Sequence, residues 1–177
     1  PKYKPSGVEW IGEIPEHWSK IKFKFIFSYE KGKNAAVFTK EYIGQNFGDY
    51  PVYSGQTEEE GILGTINTYD YDVNSALLVT TVGAKAMTLK RITSKFSLSQ
   101  NCALLFAKDN RGCLDYYFYY LDRHFSFEKG RISLIMQPSL RFEDLDTYTV
   151  ILPPFEEQTA IAKYLDDKTA KIDSLIE

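Results

Sequence analysis

Apolar residues recur along this chain with two periods. Toward the C-terminus they fall at Ile161, Leu165, Ile172 and Leu175, in steps of four, seven and three. That is the spacing of a coiled-coil seam, with Lys168 filling one seam position. Ala160, Tyr164 and Ile176 widen the stripe. The pattern predicts a helix from about residue 156 that finds no internal partner of matching length. Upstream the period is two, or the run is continuous. Residues 75–82 and 102–106 are apolar and rich in β-branched or aromatic side chains, and so read as buried strands. Residues 87–92 alternate as an outer strand, 21–25 as a half-exposed strand, and 61–66 and 147–151 as shorter ones. Leu114, Phe118, Leu121 and Phe125 share one face of a helix over 114–125. Pro153-Pro154 must end the last strand, since neither proline can donate to a ladder. Glu156 and Glu157 then favour the first turn of the final helix.

These elements predict an α+β fold. A β-rich domain with a mixed, curved sheet covers 19–152, behind an extended lead-in over 1–18. A coiled-coil-type helix fills 153–177. Trp10, Ile14 and Trp18 are expected to pin the lead-in by burial. With 177 residues and 44% hydrophobic content, the chain supports one core plus an appendage and is not disordered. It holds no apolar run of about eighteen residues, so no transmembrane helix is expected. The first residues, Pro1-Lys2-Tyr3-Lys4-Pro5, do not read as a signal peptide. The two cysteines, Cys102 and Cys113, suit a reducing compartment, and a cytoplasmic location is expected.

Net charge is −3, but it is unevenly spread. Residues 19–141 carry sixteen Lys and Arg against twelve acids, and 142–177 carry three against nine. The globular part is basic and the helical end acidic, which suggests different partners for the two. Catalytic patterns are missing. His17 and His124 lack neighbours at metal-ligand spacing, and there is no nucleophile elbow, Walker loop or dinucleotide turn. Leu152-Pro153-Pro154-Phe155 lacks the polar first residue that amino-methylating DNA enzymes use to accept from their target amine.

What remains is a set of polar loops. Lys31-Gly32-Lys33-Asn34 and Lys129-Gly130-Arg131 read as basic turns, and Gly83-Ala84-Lys85 follows a core strand with little side-chain bulk. Lys31, Lys33, Lys85, Lys90, Arg91, Lys129 and Arg131 suit phosphates. Asn34, Gln56, Gln137 and Arg141, with Gln100 and Asn101, suit base edges, because amides pair with adenine and arginine with guanine. Lys85, Lys90, Arg91, Lys129 and Arg131 are expected on one face, away from the acidic helix.

Taken as a whole, the chain resembles the specificity subunit of Type I restriction–modification systems. The resemblance rests on the lead-in, from Lys4-Pro5-Ser6-Gly7 through Ile14-Pro15-Glu16-His17-Trp18. It also rests on Tyr53-Ser54-Gly55, Gly83-Ala84-Lys85, Ser99-Gln100-Asn101, Gln137-Pro138-Ser139-Leu140 and Pro153-Pro154-Phe155-Glu156-Glu157-Gln158, in that order. It implies a target recognition domain for double-stranded DNA followed by a spacer helix, with no catalytic site, metal or cofactor of its own. The implied partners are methyltransferase (modification) subunits, which hold S-adenosylmethionine, and restriction/translocase subunits, which hydrolyse ATP. Family members carry two recognition domains and two long helices. One domain and a short helix here imply a half-subunit or a piece of a longer chain, paired with a second specificity half or as a homodimer through Ile161, Leu165, Ile172 and Leu175. A helix of fixed length would hold two domains apart and read a two-part site with an unread gap. Two other functions remain open on the residues alone. A carbohydrate or small-ligand module would show an exposed aromatic platform, and a purely structural oligomerisation subunit would show no DNA affinity.

Overall fold

The computed structural model describes residues 2–55, 58–132 and 137–176, with the main chain alone at 58 and 59. The lead-in is a small hairpin rather than a simple extended segment: β1 (Tyr3–Pro5) pairs antiparallel with β2 (Glu13–Pro15). Ile14 is buried, and Trp10 and Trp18 pack half-buried against the main core. β3 (Ser19–Lys22) follows. The strand expected over 21–25 stops at Lys22, where a 3-10 turn (Phe23–Phe25) buries Phe23 and leaves Phe25 exposed. The chain continues through β4 (Phe27–Lys31), α1 (Lys40–Gln45), β5 (Phe47–Tyr53), β6 (Ile62–Ile66), β7 (Tyr71–Thr80), β8 (Leu89–Leu98) and β9 (Cys102–Ala107). Last come α2 (Leu114–Arg131), α3 (Phe142–Thr147), β10 (Thr149–Leu152) and α4 (Phe155–Ile176).

Six strands form one mixed sheet in the order β4-β9-β7-β8-β5-β6, with β5 parallel to β8 and the other pairs antiparallel. β7 explains the continuous apolar run. Its Leu77 and Val79 point into one core and its Ala76 and Leu78 into a second, so both faces are covered. The first core lies beneath α2, whose Tyr117, Leu121 and Phe125 are fully buried. The second holds Tyr71, Ile92, Phe96, Leu98 and Leu104 as well, and beside it the pairing of β7 with β8 shifts register between Val73 and Ala76. Tyr71 then reaches across and donates its hydroxyl to the Lys31 carbonyl (2.9 Å).

Several expectations change. The strand placed over 87–92 lies inside the sheet, between β7 and β5, and runs on to Leu98. The helix expected over 114–125 continues to Arg131, so Lys129-Gly130-Arg131 is a last helical turn, not a loop. Its tyrosines sustain it: Tyr117 donates to the Ile151 carbonyl (2.8 Å), and Tyr120 accepts from the Ile151 amide (3.3 Å). The short α3 intervenes before β10, which starts at Thr149 rather than 147. α2 also gives α4 an internal partner that the apolar pattern did not anticipate.

Candidate nucleic-acid interface

Four polar motifs, far apart in sequence, meet at one rim of the sheet. The Ser99 amide donates to the Tyr53 carbonyl (2.7 Å), and the Thr81 amide to the Asn101 carbonyl (2.8 Å). The Leu140 amide donates to Thr81 (2.7 Å) and the Gly83 amide to Pro138 (3.1 Å), while Val82 bridges Ser139. A side chain at Gly55 would meet Asn101 within 2.9 Å, so the loops touch main chain to main chain. Asn101 sits in the left-handed region (φ 65°), which its short polar side chain tolerates.

The loop over 83–88 is built to hold Lys85 outward. The Thr80 hydroxyl donates to the Lys85 carbonyl, as does the Thr88 hydroxyl (2.8 Å). The Thr88 amide returns to the Thr80 oxygen (3.0 Å). Ala86 and Met87 are buried and anchor the loop, while Ala84 and Lys85 face solvent. Met87 adopts φ 64°, a left-handed geometry that costs an ordinary side chain about 1–2 kcal/mol. Beside this loop, a cleft of about 340 Å³ is lined by Met87, Gln137, Ser139 and Arg141 with the end of α2.

The helical joint is equally specific. Gln158 is fully buried at the start of α4. Its Oε1 accepts from the Cys113 amide (2.8 Å), and its Nε2 donates to the Arg111 and Pro153 carbonyls (2.8 Å each). One amide thus satisfies the start of α2 and the end of the last strand together. Glu157 accepts from Trp18 Nε1 (2.8 Å) and bonds His17 Nε2 (2.7 Å), which ties the lead-in to the joint. The Trp18 bond, then the His17 bond, hold the Glu157 carboxyl below the usual carboxylate range.

The sequence that builds this rim and joint matches one family model. The model for the Type I restriction modification DNA specificity domain aligns with residues 15–176. The chain belongs to that family. The type I restriction enzyme MpnII specificity subunit of Mycoplasma pneumoniae is 31% identical over 133 residues, covering 75% of this chain and 39% of that protein. The EcoDI specificity subunit of Escherichia coli is 28% identical over 166 residues, covering 92% of this chain and 34% of that protein. The S subunit of M. genitalium has the same fold, with TM-score 0.66, 19% identity, and coverage of 90% of this chain and 41% of that one. So does a chain in a structure of type I R-M complex assembly, with TM-score 0.68, 18% identity, and coverage of 98% and 42%. The chain therefore spans about a third to two fifths of the length of these relatives.

Within this specificity domain the sequence candidates divide. Lys85, Gln100, Asn101, Gln137 and Arg141 are exposed at or beside the rim. Gln56 lies outside the described residues. Arg141 approaches Asp144 only loosely (3.9 Å). Lys85 has no ion-pair partner among the described residues. The other candidates, Lys129 apart, are engaged. Lys33 donates to the Asp70 carbonyl (3.2 Å) and Asn34 to its carboxylate (2.7 Å). Lys90 pairs with Glu60 (3.2 Å) and Arg131 with Glu9 (2.7 Å). Lys31 lies over the Phe142 ring, and Lys129 is half-buried near the end of α2.

The expectation of one basic face away from the acidic helix fails at Arg91. Its Nη1 donates to Asp166 of α4 (2.8 Å), because this position of β8 faces the helices. The seam also divides. Ile161 and Leu165 are half-buried, Ile161 against the main core, whereas Ile172 and Leu175 are exposed. Sequence reasoning missed Thr80 and Thr88, assigned Arg91 to phosphate rather than to the helices, and read Glu157 and Gln158 as a motif without their partners. Only the Glu157–Gln158 motif carried a signal, and its partners lie far away in sequence.

Proposed function

We propose that this chain recognises a specific double-stranded DNA sequence as one half of a Type I specificity subunit, working in the cytoplasm and carrying out no chemistry itself. Residues 19–152 act as the target recognition domain, 1–18 as its lead-in and 153–177 as the spacer helix. Lys85 meets phosphate from its fixed loop. Gln100, Asn101, Gln137 and Arg141 face base edges, a role the sequence also offers to Gln56. Lys31 and Lys129 lie on the flanks. Lys33, Asn34, Lys90 and Arg131 serve the fold first, since each is bound to a partner within the chain. The observation that carries this reading is the convergence of four polar motifs on one rim whose long side chains point to water.

The chain then directs methyltransferase and restriction/translocase subunits to the site, as expected of a domain whose fold recurs in a solved type I R-M assembly. The arm pairs with a second specificity half or a second copy. The test is duplex binding across a salt series. Lys85→Ala should weaken binding to all duplexes alike and reduce the slope of log K against log salt by about one. A loss confined to one sequence would mean that Lys85 reads a base instead.

A further inference from the structure

Arg91 sits at a junction of three elements. From β8, its Nη1 donates to Asp166 Oδ1 in α4 (2.8 Å) and its Nη2 to the Asp115 carbonyl in α2 (3.3 Å). Its Nε stands 3.0 Å from Asp115 Oδ1, close enough for charge attraction though not aligned as a hydrogen bond. The guanidinium lies 4.4 Å from the Phe118 ring centre and 5.1 Å from that of Tyr119. Tyr119 in turn donates its hydroxyl to the same Asp166 oxygen (2.7 Å). An isolated surface pair of charges contributes little. This one is half-buried, flanked by rings on one side and two carboxylates on the other, which suits the planar fork of arginine and not lysine.

The placement along α4 gives the network its meaning. The helix is held at its start by Gln158, along its first turns by buried Ala162 and by Ile161, and last of all at Asp166, eight residues beyond Gln158, or about 12 Å. From residue 167 to 176 every side chain is exposed. Apolar packing at Ala162 and Ile161 permits tilt, and Asp166 is the last directional bond before the unsupported half. From Gln158 to the tip at Ile176 is about 27 Å, so a tilt of about 10° swings the tip by about 5 Å. That exceeds the rise of one base-pair step, about 3.4 Å.

We propose that Arg91 is a positioning residue that aims the arm, and so fixes how far from this rim, and at what rotation, the second half-site is read. The specificity part rests on the DNA reading above, and the aiming part does not. Arg91 contacts no base and acts through Asp166.

The experiment uses the full chain with nitroxides on cysteines at Glu30→Cys and Ser174→Cys, both exposed positions, and with Cys113→Ser. Excess unlabelled chain suppresses signals between copies. The unmodified sequence should give one narrow distance distribution. Arg91→Met, which keeps the packing on Phe118, should broaden it at least twofold with helix content retained. Asp166→Asn, which keeps an acceptor for Tyr119, should broaden it too, and serves if Arg91→Met fails to fold. The double variant should be no broader than Arg91→Met, because both break one link. An unchanged width in both single variants overturns the proposal. Selection from randomised duplexes then tests specificity. The unmodified chain should return two half-sites with one gap length, and Arg91→Met the same half-sites with several. A single retained gap despite a broadened arm overturns the specificity role. If the unmodified chain selects no duplex, the DNA reading fails, while the distances still decide the aiming role.

Discussion

His124 gives one residue-scale consequence of burial. It is 6% exposed and accepts at Nδ1 from Trp10 Nε1 (3.0 Å). Indole can only donate, so the imidazole proton must sit on Nε2, which is buried without a partner among the described residues. A charged ring here would lose its hydration, and burial lowers its pKa from 6.5 to about 4. The unfolded chain therefore takes up this proton first. Stability should be whole above pH 6.5, decline as pH falls toward 4 and level off below, losing about 3 kcal/mol in all. Thermal unfolding across that window should show the decline, and His124→Gln, which cannot titrate, should flatten it. Glu157 and Asp166 act elsewhere on the scale. Their carboxyls are held low, by Trp18 and by Tyr119 first, so their contributions fade only below 4.5 and 3.8. Cys102 stays a thiol throughout, since burial pushes it up to about 12.

At the scale of elements, α4 is two helices in one. Its first half is part of the domain: Ala162 is buried and Ile161 packs on the core. Its second half presents Ile172, Leu175 and Ile176 at 56, 86 and 79% exposure. Ile161→Asp should thus destabilise the fold by about 2–3 kcal/mol. Ile172→Asp with Leu175→Asp should leave the melting temperature unchanged and abolish self-association measured by mass in solution. If the paired variant melts lower at concentrations where the chain is monomeric, the arm has a partner within its own chain. The seam periodicity was legible in the sequence because apolar spacing survives whichever surface covers it. What covered it was not, since Ile161 and Leu175 look alike in a pattern. β7 was legible for the same reason, through its unbroken apolar run. α3 was not, because six residues between a proline turn and a strand carry too short a stripe to register. The cations in turns misled more. A sequence displays the charge of Arg91 or Lys90, but not the carboxylate facing it, 75 or 30 residues away.

At the scale of the whole molecule, a net charge of −3 coexists with a proposed DNA surface because the acids are concentrated in residues 142–177, while several of the cations expected on that surface are taken up within the chain. Lys90, Arg91 and Arg131 each pair with a carboxylate, and Lys33 is held by the Asp70 carbonyl. The individual motifs of the rim were visible as polar tips after strands, yet their meeting depends on the pairing of β5 with β8 and of β7 with β9, which no local pattern states. Electrostatic attraction should accordingly be modest and local, with few phosphates neutralised. Replacing Gln100, Gln137 and Arg141 together by Ala should cost less than about 1 kcal/mol of stability, as each is exposed. The same triple change should abolish preference among duplexes while leaving weak, salt-sensitive binding. Unfolding and competition titrations on one preparation would check both halves.

The rim is sewn together by amides and carbonyls, with almost no long side chain among its stitches. Main-chain bonds are indifferent to what hangs from them. Substitutions at the outward positions can therefore accumulate without a toll on folding, and the address can drift while the reader stays intact. A scaffold whose seams ignore its own lettering lets the lettering be rewritten.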